Sequence, residues 1–222
     1  MMRNLCFVLM VVFLVVGVVC IGGCDEDGVK DDAKTGAAKG EQEVAASPQE
    51  AGPVLVKLAT TLGDIVLHLD KETAPVTVAN FLQYVDDGFF DGLIFHRVIP
   101  GGVIQGGGFD NDLNNKAPRT PIVNETGNKV RNLRGTIAMA RKNAPNSATS
   151  QFFINHKNNP TLDYDGRYGG YAVFGKVVEG MDVVDAIATI RQQPKRAKNG
   201  LLLENCPVEN VIITSAKVIS GK

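Results

Sequence analysis

The chain has 222 residues, 44% of them hydrophobic and 21% charged, with a formal net charge of −1 and a mean hydropathy of +0.01. That balance excludes a strongly basic nucleic-acid binder, whose footprint is an excess of Lys and Arg. It is too apolar for wholesale disorder, and 4 Cys are too few for a disulfide scaffold.

The first element is residues 1–24. Arg3 precedes an apolar run over residues 5–21, and Gly22-Gly23-Cys24 follows. A cation, an apolar run and small residues at its exit predict a secretory signal. The run also approaches the roughly 18 residues of a membrane span, which keeps a retained anchor open. Ile21-Gly22-Gly23-Cys24 resembles the lipobox of bacterial lipoproteins. The resemblance implies signal removal before Cys24, a lipid on that residue, and a chain held at the membrane on the periplasmic side of the cell envelope.

Residues 25–52 hold eight acidic side chains against three Lys and show no apolar period. They are expected to be a disordered tether with a reach of roughly 25–30 Å. Residues 53–222 then carry 19 Lys and Arg against 16 Asp and Glu, a mild excess that implies no nucleic-acid partner. Only Cys206 remains in this part once Cys6, Cys20 and Cys24 are assigned to the export segment. No intradomain disulfide can form there, and an inert thiol is expected.

Alternating runs over residues 54–59 and 65–69, with Thr61-Leu62-Gly63-Asp64 between them, predict a β-hairpin. Pro75 opens a helix whose Val78, Phe81, Leu82 and Val85 share one face, and Gly88 ends it. Further strands are expected over residues 93–99, 103–106, 135–140, 150–155, 171–178 and 208–219, with a second helix over 181–190. Eight short strands and two helices predict a mostly β fold, a closed or nearly closed antiparallel barrel capped by the helices.

The densest run of unusual residues is Phe95-His96-Arg97-Val98-Ile99-Pro100-Gly101-Gly102-Val103-Ile104-Gln105-Gly106-Gly107-Gly108-Phe109. In a strand, Phe95, Arg97 and Ile99 share a face, as do Val103 and Gln105. From spacing alone Arg97 is either a polar floor in an apolar groove or an edge-strand cation in water.

This run, with Arg134-Gly135-Thr136-Ile137-Ala138-Met139-Ala140-Arg141, Ser150-Gln151-Phe152-Phe153-Ile154-Asn155 and Tyr171-Ala172-Val173-Phe174-Gly175-Lys176-Val177-Val178, resembles the bacterial cyclophilin-type peptidyl-prolyl isomerases. Order and spacing fit from about Val54 to the C-terminus. The resemblance implies a closed eight-stranded β-barrel capped by two helices, and cis–trans isomerisation of X–Pro bonds in peptides and unfolded exported proteins. By the same resemblance Arg97 is catalytic and Gln105 holds the substrate backbone. Ala140 and Arg141 offer backbone to the peptide, Gln151 lines the groove, and Val103, Phe153, Leu162 and Tyr171 wall the proline pocket. No metal or cofactor is implied, and a monomer is expected.

Two departures bear on the pocket. Gly102 stands where the family has a Phe, with Val103 in place of Met, and Thr161 stands where a Trp or Phe is usual. A missing aromatic wall weakens burial of a proline ring by about 1–3 kcal/mol, unless a neighbour such as Phe109 repacks. The alternative function is therefore a peptide-binding, chaperone-like module with weakened activity.

Other motifs dissolve on inspection. Asp110-Asn111-Asp112 starts like a calcium loop, but Asn115 and Pro121 stand where Gly and Glu are needed. Gly106-Gly107-Gly108 lacks the Lys-Ser/Thr ending of a phosphate loop. His68, His96 and His156 have no ligand spacing. Lys195-Arg196-Ala197-Lys198 reads as a solvated loop or a weak contact with anionic lipid.

Overall fold

The computed structural model describes residues 53–166 and 169–221. The predicted export segment, its Cys24 and the tether lie outside the described residues.

β1 (Val54–Thr60) and β2 (Gly63–Leu69) form the expected hairpin, in register from Val54 opposite Leu69 to Thr60 opposite Gly63. The Thr60 hydroxyl donates to the Gly63 carbonyl at 2.7 Å and steadies the turn. Every second residue of β1 is buried, so the predicted period of two becomes one face against the core.

α1 (Pro75–Asp86) follows, with Pro at its first turn and Thr77, Val78, Asn80, Phe81, Tyr84 and Val85 buried. Its N-cap residue, Ala74, has no side chain able to accept from the first amides. Glu125 reaches in from a distant loop instead. Its two carboxylate oxygens accept from the Val76 amide at 3.0 Å and the Thr77 amide at 2.7 Å, and the Thr77 hydroxyl donates to it at 2.6 Å. A carboxylate at a helix N-terminus both satisfies orphan donors and complements the dipole.

β3 (Arg97–Val98), β4 (Val103–Gly106), β5 (Thr136–Met139), β6 (Phe152–Asn155), β7 (Val173–Glu179) and β10 (Ile213–Ser220) complete an eight-stranded antiparallel sheet in the order β10-β1-β2-β7-β5-β6-β4-β3. α2 (Met181–Thr189) buries Val184, Ile187 and Ala188 against it. The sheet curls but does not close as a barrel: β3 and β10 end it without pairing as strands. One bridge between Ile94 and Ile212, flanked by bonds from the Phe95 amide to the Val211 carbonyl and from the Ile213 amide to the Leu93 carbonyl, spans the gap.

The expected strand over residues 93–99 is correspondingly short, because most of it spends its hydrogen bonds on these isolated contacts. The strand expected over 150–155 starts at Phe152, and the one expected over 208–219 is split. β8 (Gln192–Arg196) and β9 (Leu202–Pro207) form a separate two-stranded sheet before β10 begins. The basic cluster at residues 195–198 is thus the end of β8 and its turn, not simply a solvated loop. Lys195 donates to the Val208 carbonyl at 3.0 Å and to Asn210 at 2.8 Å.

The core fills the concave side of the sheet. Phe81 of α1 packs at 5.0 Å from Phe90, 5.6 Å from Phe152 and 5.2 Å from Phe174, measured between ring centroids. Alternation then divides each central strand between two surfaces. Ile104, Ile137, Phe152 and Phe174 enter the core, while Val103, Ala138, Phe153 and Val173 form a second apolar cluster on the outer face. That outer cluster is where a ligand can reach.

Glu125→Ala removes the cap of α1 without touching the core. It is expected to lower unfolding free energy by about 1–2 kcal/mol, read as a lower urea midpoint; an unchanged midpoint would show that the cap contributes nothing.

Candidate active site

The outer apolar cluster floors a cavity of about 440 Å³. Phe153 of β6 and Val103 of β4 are buried beneath it. Leu162 and Tyr171 rise at one side, and the Phe153 and Tyr171 rings meet edge to face at 5.5 Å. Arg97 stands on the other side, exposed, at the edge of the sheet.

Arg97 is aimed by strand register. It lies opposite Gln105 in the β3–β4 ladder, and Gln105 lies opposite Phe153 in the β4–β6 ladder. Arg97 Nη1 donates to Gln105 Oε1 at 3.2 Å, and Gln105 Nε2 donates to Gln151 Oε1 at 2.9 Å. The two readings left open by spacing thus combine: Arg97 is solvent-exposed and also lines the cavity floored by Val103 and Phe153.

Arg141 is held at the far rim. Its guanidinium carbon sits 4.9 Å from the Tyr171 ring centroid, and its Nε donates to the Gly170 carbonyl at 2.7 Å. The adjacent Ala140 also lines the cavity, but its amide donates within the sheet to the Gln151 carbonyl at 2.9 Å. Gln151 itself does not line this cavity. It lines two adjoining grooves and reaches the site through Gln105. The other expected residues, Arg97, Val103, Gln105, Ala140, Arg141, Phe153, Leu162 and Tyr171, share the one cavity.

The expected repacking by Phe109 does not occur. Phe109 lies in a different cluster, edge-on to His96 at 4.9 Å. Ile99 takes that part instead. A Cβ built at Gly102 would fall 2.8 Å from Ile99 Cγ2 and 3.2 Å from the Ile99 carbonyl. The tight turn, closed by the Gly102 amide donating to Ile99 at 2.8 Å, thereby swings an aliphatic side chain into the wall where a side chain at residue 102 would have stood. Thr161, by contrast, lines the cavity with nothing apolar in its place.

An asparagine network that sequence reasoning missed holds the rim. Buried Asn155 donates to Asn132 at 3.2 Å and to the Thr136 hydroxyl at 2.9 Å, and it accepts from Asn159 at 2.8 Å. Asn159 also donates to the Gly102 carbonyl at 3.1 Å, and Asn132 to the Leu162 carbonyl at 3.1 Å. Both rim segments are thus tied to one buried side chain. The polar run Asn155-His156-Lys157-Asn158-Asn159, directly after an apolar strand, was the available signal. Lys157 lines the cavity as well.

His96 sits behind the site, 3% exposed, and burial holds its pKa down to about 4. Cys206 is buried and free, and burial pushes its thiol up, in keeping with an inert role. Asp110 folds onto its own loop, accepting from the Asp112 and Asn114 amides at 2.9 Å each.

The His96 shift carries a pH signature. Between its unperturbed pKa of 6.5 and about 4, the unfolded chain binds a proton that the folded chain refuses. Stability is therefore expected to fall as pH drops through that window, by up to about 3 kcal/mol. Urea unfolding at pH 7 and pH 4 checks this, with His96→Gln expected to flatten the dependence.

Comparison with known proteins follows the same lines. A family model described as cyclophilin type peptidyl-prolyl cis-trans isomerase/CLD matches residues 55–218. Peptidyl-prolyl cis-trans isomerase A of Dickeya dadantii is 51% identical over 164 residues, covering 74% of this chain and 84% of that protein. Peptidyl-prolyl cis-trans isomerase B of Escherichia coli is 47% identical over 167 residues, covering 74% of this chain and 99% of that one. Among solved structures, a cyclophilin type isomerase of Cryptosporidium parvum determined in the presence of the dipeptide Ala-Pro superposes with a TM-score of 0.60 at 26% identity, over 75% of this chain and 99% of that one. Sequence match and fold agree, and this chain belongs to the cyclophilin-type peptidyl-prolyl cis–trans isomerases.

Proposed function

We propose that the cavity beside Arg97 binds proline-containing segments of exported polypeptides and isomerises their X–Pro bonds, in a chain lipid-anchored at the cell envelope through Cys24. One observation carries the catalytic part: Arg97, steadied by Gln105 at 3.2 Å, lines a cavity of about 440 Å³ together with Val103, Phe153, Leu162 and Tyr171.

The chemistry needs no bond to be broken. Amide resonance sets a barrier of about 20 kcal/mol and makes unaided isomerisation take tens of seconds or more. Rotation about the bond removes that resonance and leaves a lone pair on the prolyl nitrogen. A guanidinium N–H directed at that nitrogen gains strength as the lone pair develops, so it stabilises the transition state more than the ground state. Arg suits this role because it stays charged and spreads five donors over a rigid plane. One donor goes to Gln105, which sets the plane and leaves the others for substrate.

The proline ring then rests on Phe153 and Val103, with Leu162 and Tyr171 beside it. Excluding water there strengthens the Arg97 bond. The Ala140 amide is already engaged, so peptide backbone pairing at this residue falls to its carbonyl. Ile99 beside Gly102 supports the enzyme reading over a binding-only module, because it restores apolar wall where the family's aromatic is missing. Thr161 leaves one side more open, in keeping with weaker grip on the ring.

Arg97→Ala is expected to cut kcat/KM on a prolyl tetrapeptide by about 100-fold or more in a protease-coupled assay, with peptide affinity changed far less. Equal rates in both proteins, or none above background, would reject the enzyme reading. For the anchor, mass spectrometry of the mature chain is expected to find a lipid-modified Cys24 at the N-terminus; an intact Met1 start would reject it.

A further inference from the structure

A second cavity, of about 280 Å³, adjoins the first. Arg97 and Gln105 line both, so the two cavities adjoin across a single strand pair. Buried His96 and Phe109 lie at its floor. Residues 201–205 also line it: Leu201 and the first four residues of β9, the second strand of the β8–β9 hairpin.

That hairpin stands apart from the eight-stranded sheet, yet it is firmly seated. Leu203 and Cys206 are buried with Ile94, Phe109 and Ala197 in a small cluster of their own. Alternation along β9 turns Leu202 away from that cluster, and it is 46% exposed. Leu201, which leads into the strand, is 53% exposed. Single exposed leucines are ordinary on protein surfaces. These two are adjacent, stand at the start of a strand whose buried face is already filled by Leu203 and Cys206, and line a cavity that shares a wall with the reacting centre. The remaining lining is nearly neutral: only Arg97 and Glu204 carry charge, and their signs oppose.

A polypeptide whose proline lies against Phe153 carries its flanking residues past the Arg97–Gln105 wall. Each extended residue advances the chain by about 3.3–3.6 Å, so one or two residues bring a side chain over the second cavity. We propose that this cavity is a second substrate subsite, which takes a large apolar side chain (Leu, Met or Phe) within two residues of the isomerised proline, with Leu201 and Leu202 closing over it. The proposal rests on the reading that the Arg97 cavity holds the X–Pro unit. The Arg97–Gln105 wall shared with that cavity is what favours the same polypeptide as occupant over a second copy of this chain.

The test uses the full chain and prolyl peptides that differ only in Leu or Ser at each of the two residues before the proline and the two after it. At one of these positions the wild type is expected to prefer Leu by about five- to tenfold in kcat/KM. In the Leu201→Ser/Leu202→Ser double variant this ratio is expected to fall to about one. Being a ratio within one protein, it does not register a general loss of turnover. A wild type indifferent to Leu or Ser, or a double variant that keeps the preference, overturns the subsite. Fluorescence anisotropy of the same labelled peptides separates the two readings. Leu-dependent binding lost in the double variant, without any isomerisation by the wild type, sinks the enzyme reading and supports the subsite. Concentration-dependent dimerisation abolished by Leu201→Ser/Leu202→Ser would assign the leucines to a second copy and overturn the proposal.

Discussion

The site depends above all on one register, that of β4 between β3 and β6. It places Gln105 opposite Arg97 on one side and opposite Phe153 on the other. Because side chains alternate across a sheet, a slip of one residue in either ladder would turn Arg97 or Phe153 to the wrong face. The register is held by burial on the opposite face. Ile104, Phe152 and Ile154 are fully buried in the core, and a slip would bring them out into water. The same hydrophobic packing that stabilises the sheet therefore aims the guanidinium, with no need for a dedicated device at the edge strand.

The rim is governed differently, by polar groups in place of packing. The turn carrying Ile99 to Gly102 and the loop carrying Thr161 and Leu162 have few ladder bonds of their own. Asn155, with no exposure to solvent, binds Asn159 and Asn132, which in turn fix the carbonyls of Gly102 and Leu162. A buried amide left without partners costs more than its bonds contribute when made, so these groups resist displacement together. His156 adds a tie from α2: its Nδ1 accepts from the Gly101 amide at 3.1 Å while its Nε2 lies 3.1 Å from Asp185. A pocket that must close on a small ring gains a defined width in this way.

Much of this was legible in the primary structure. Alternation and helical spacing located the β1–β2 hairpin, α1 and α2, because each buries one face against a single core and so carries a strong period. Four separated motifs in the right order identified the family, and the pocket residues except Gln151 meet in one cavity. The misses share a cause. β8–β9 carries Pro194, several charges and Asn205, and it packs mainly at one small cluster, so its pattern is faint. Residues 93–96 look like strand yet bond piecemeal to two partners, which is also why the barrel stays open between β3 and β10.

The replacement at Gly102 shows where the boundary falls. The order of residues along the chain shows that an aromatic is absent there, that Arg97 and Gln105 alternate onto one face of their strands, and that Phe153 follows a core residue. These are consequences of local spacing. Packing in three dimensions is what makes Ile99 and not Phe109 supply the missing wall, sets Glu125 as the cap of α1, and puts Gln151 behind Gln105. Each of those pairs residues through turns and contacts whose geometry is set by the packed whole, and no period along the chain encodes it.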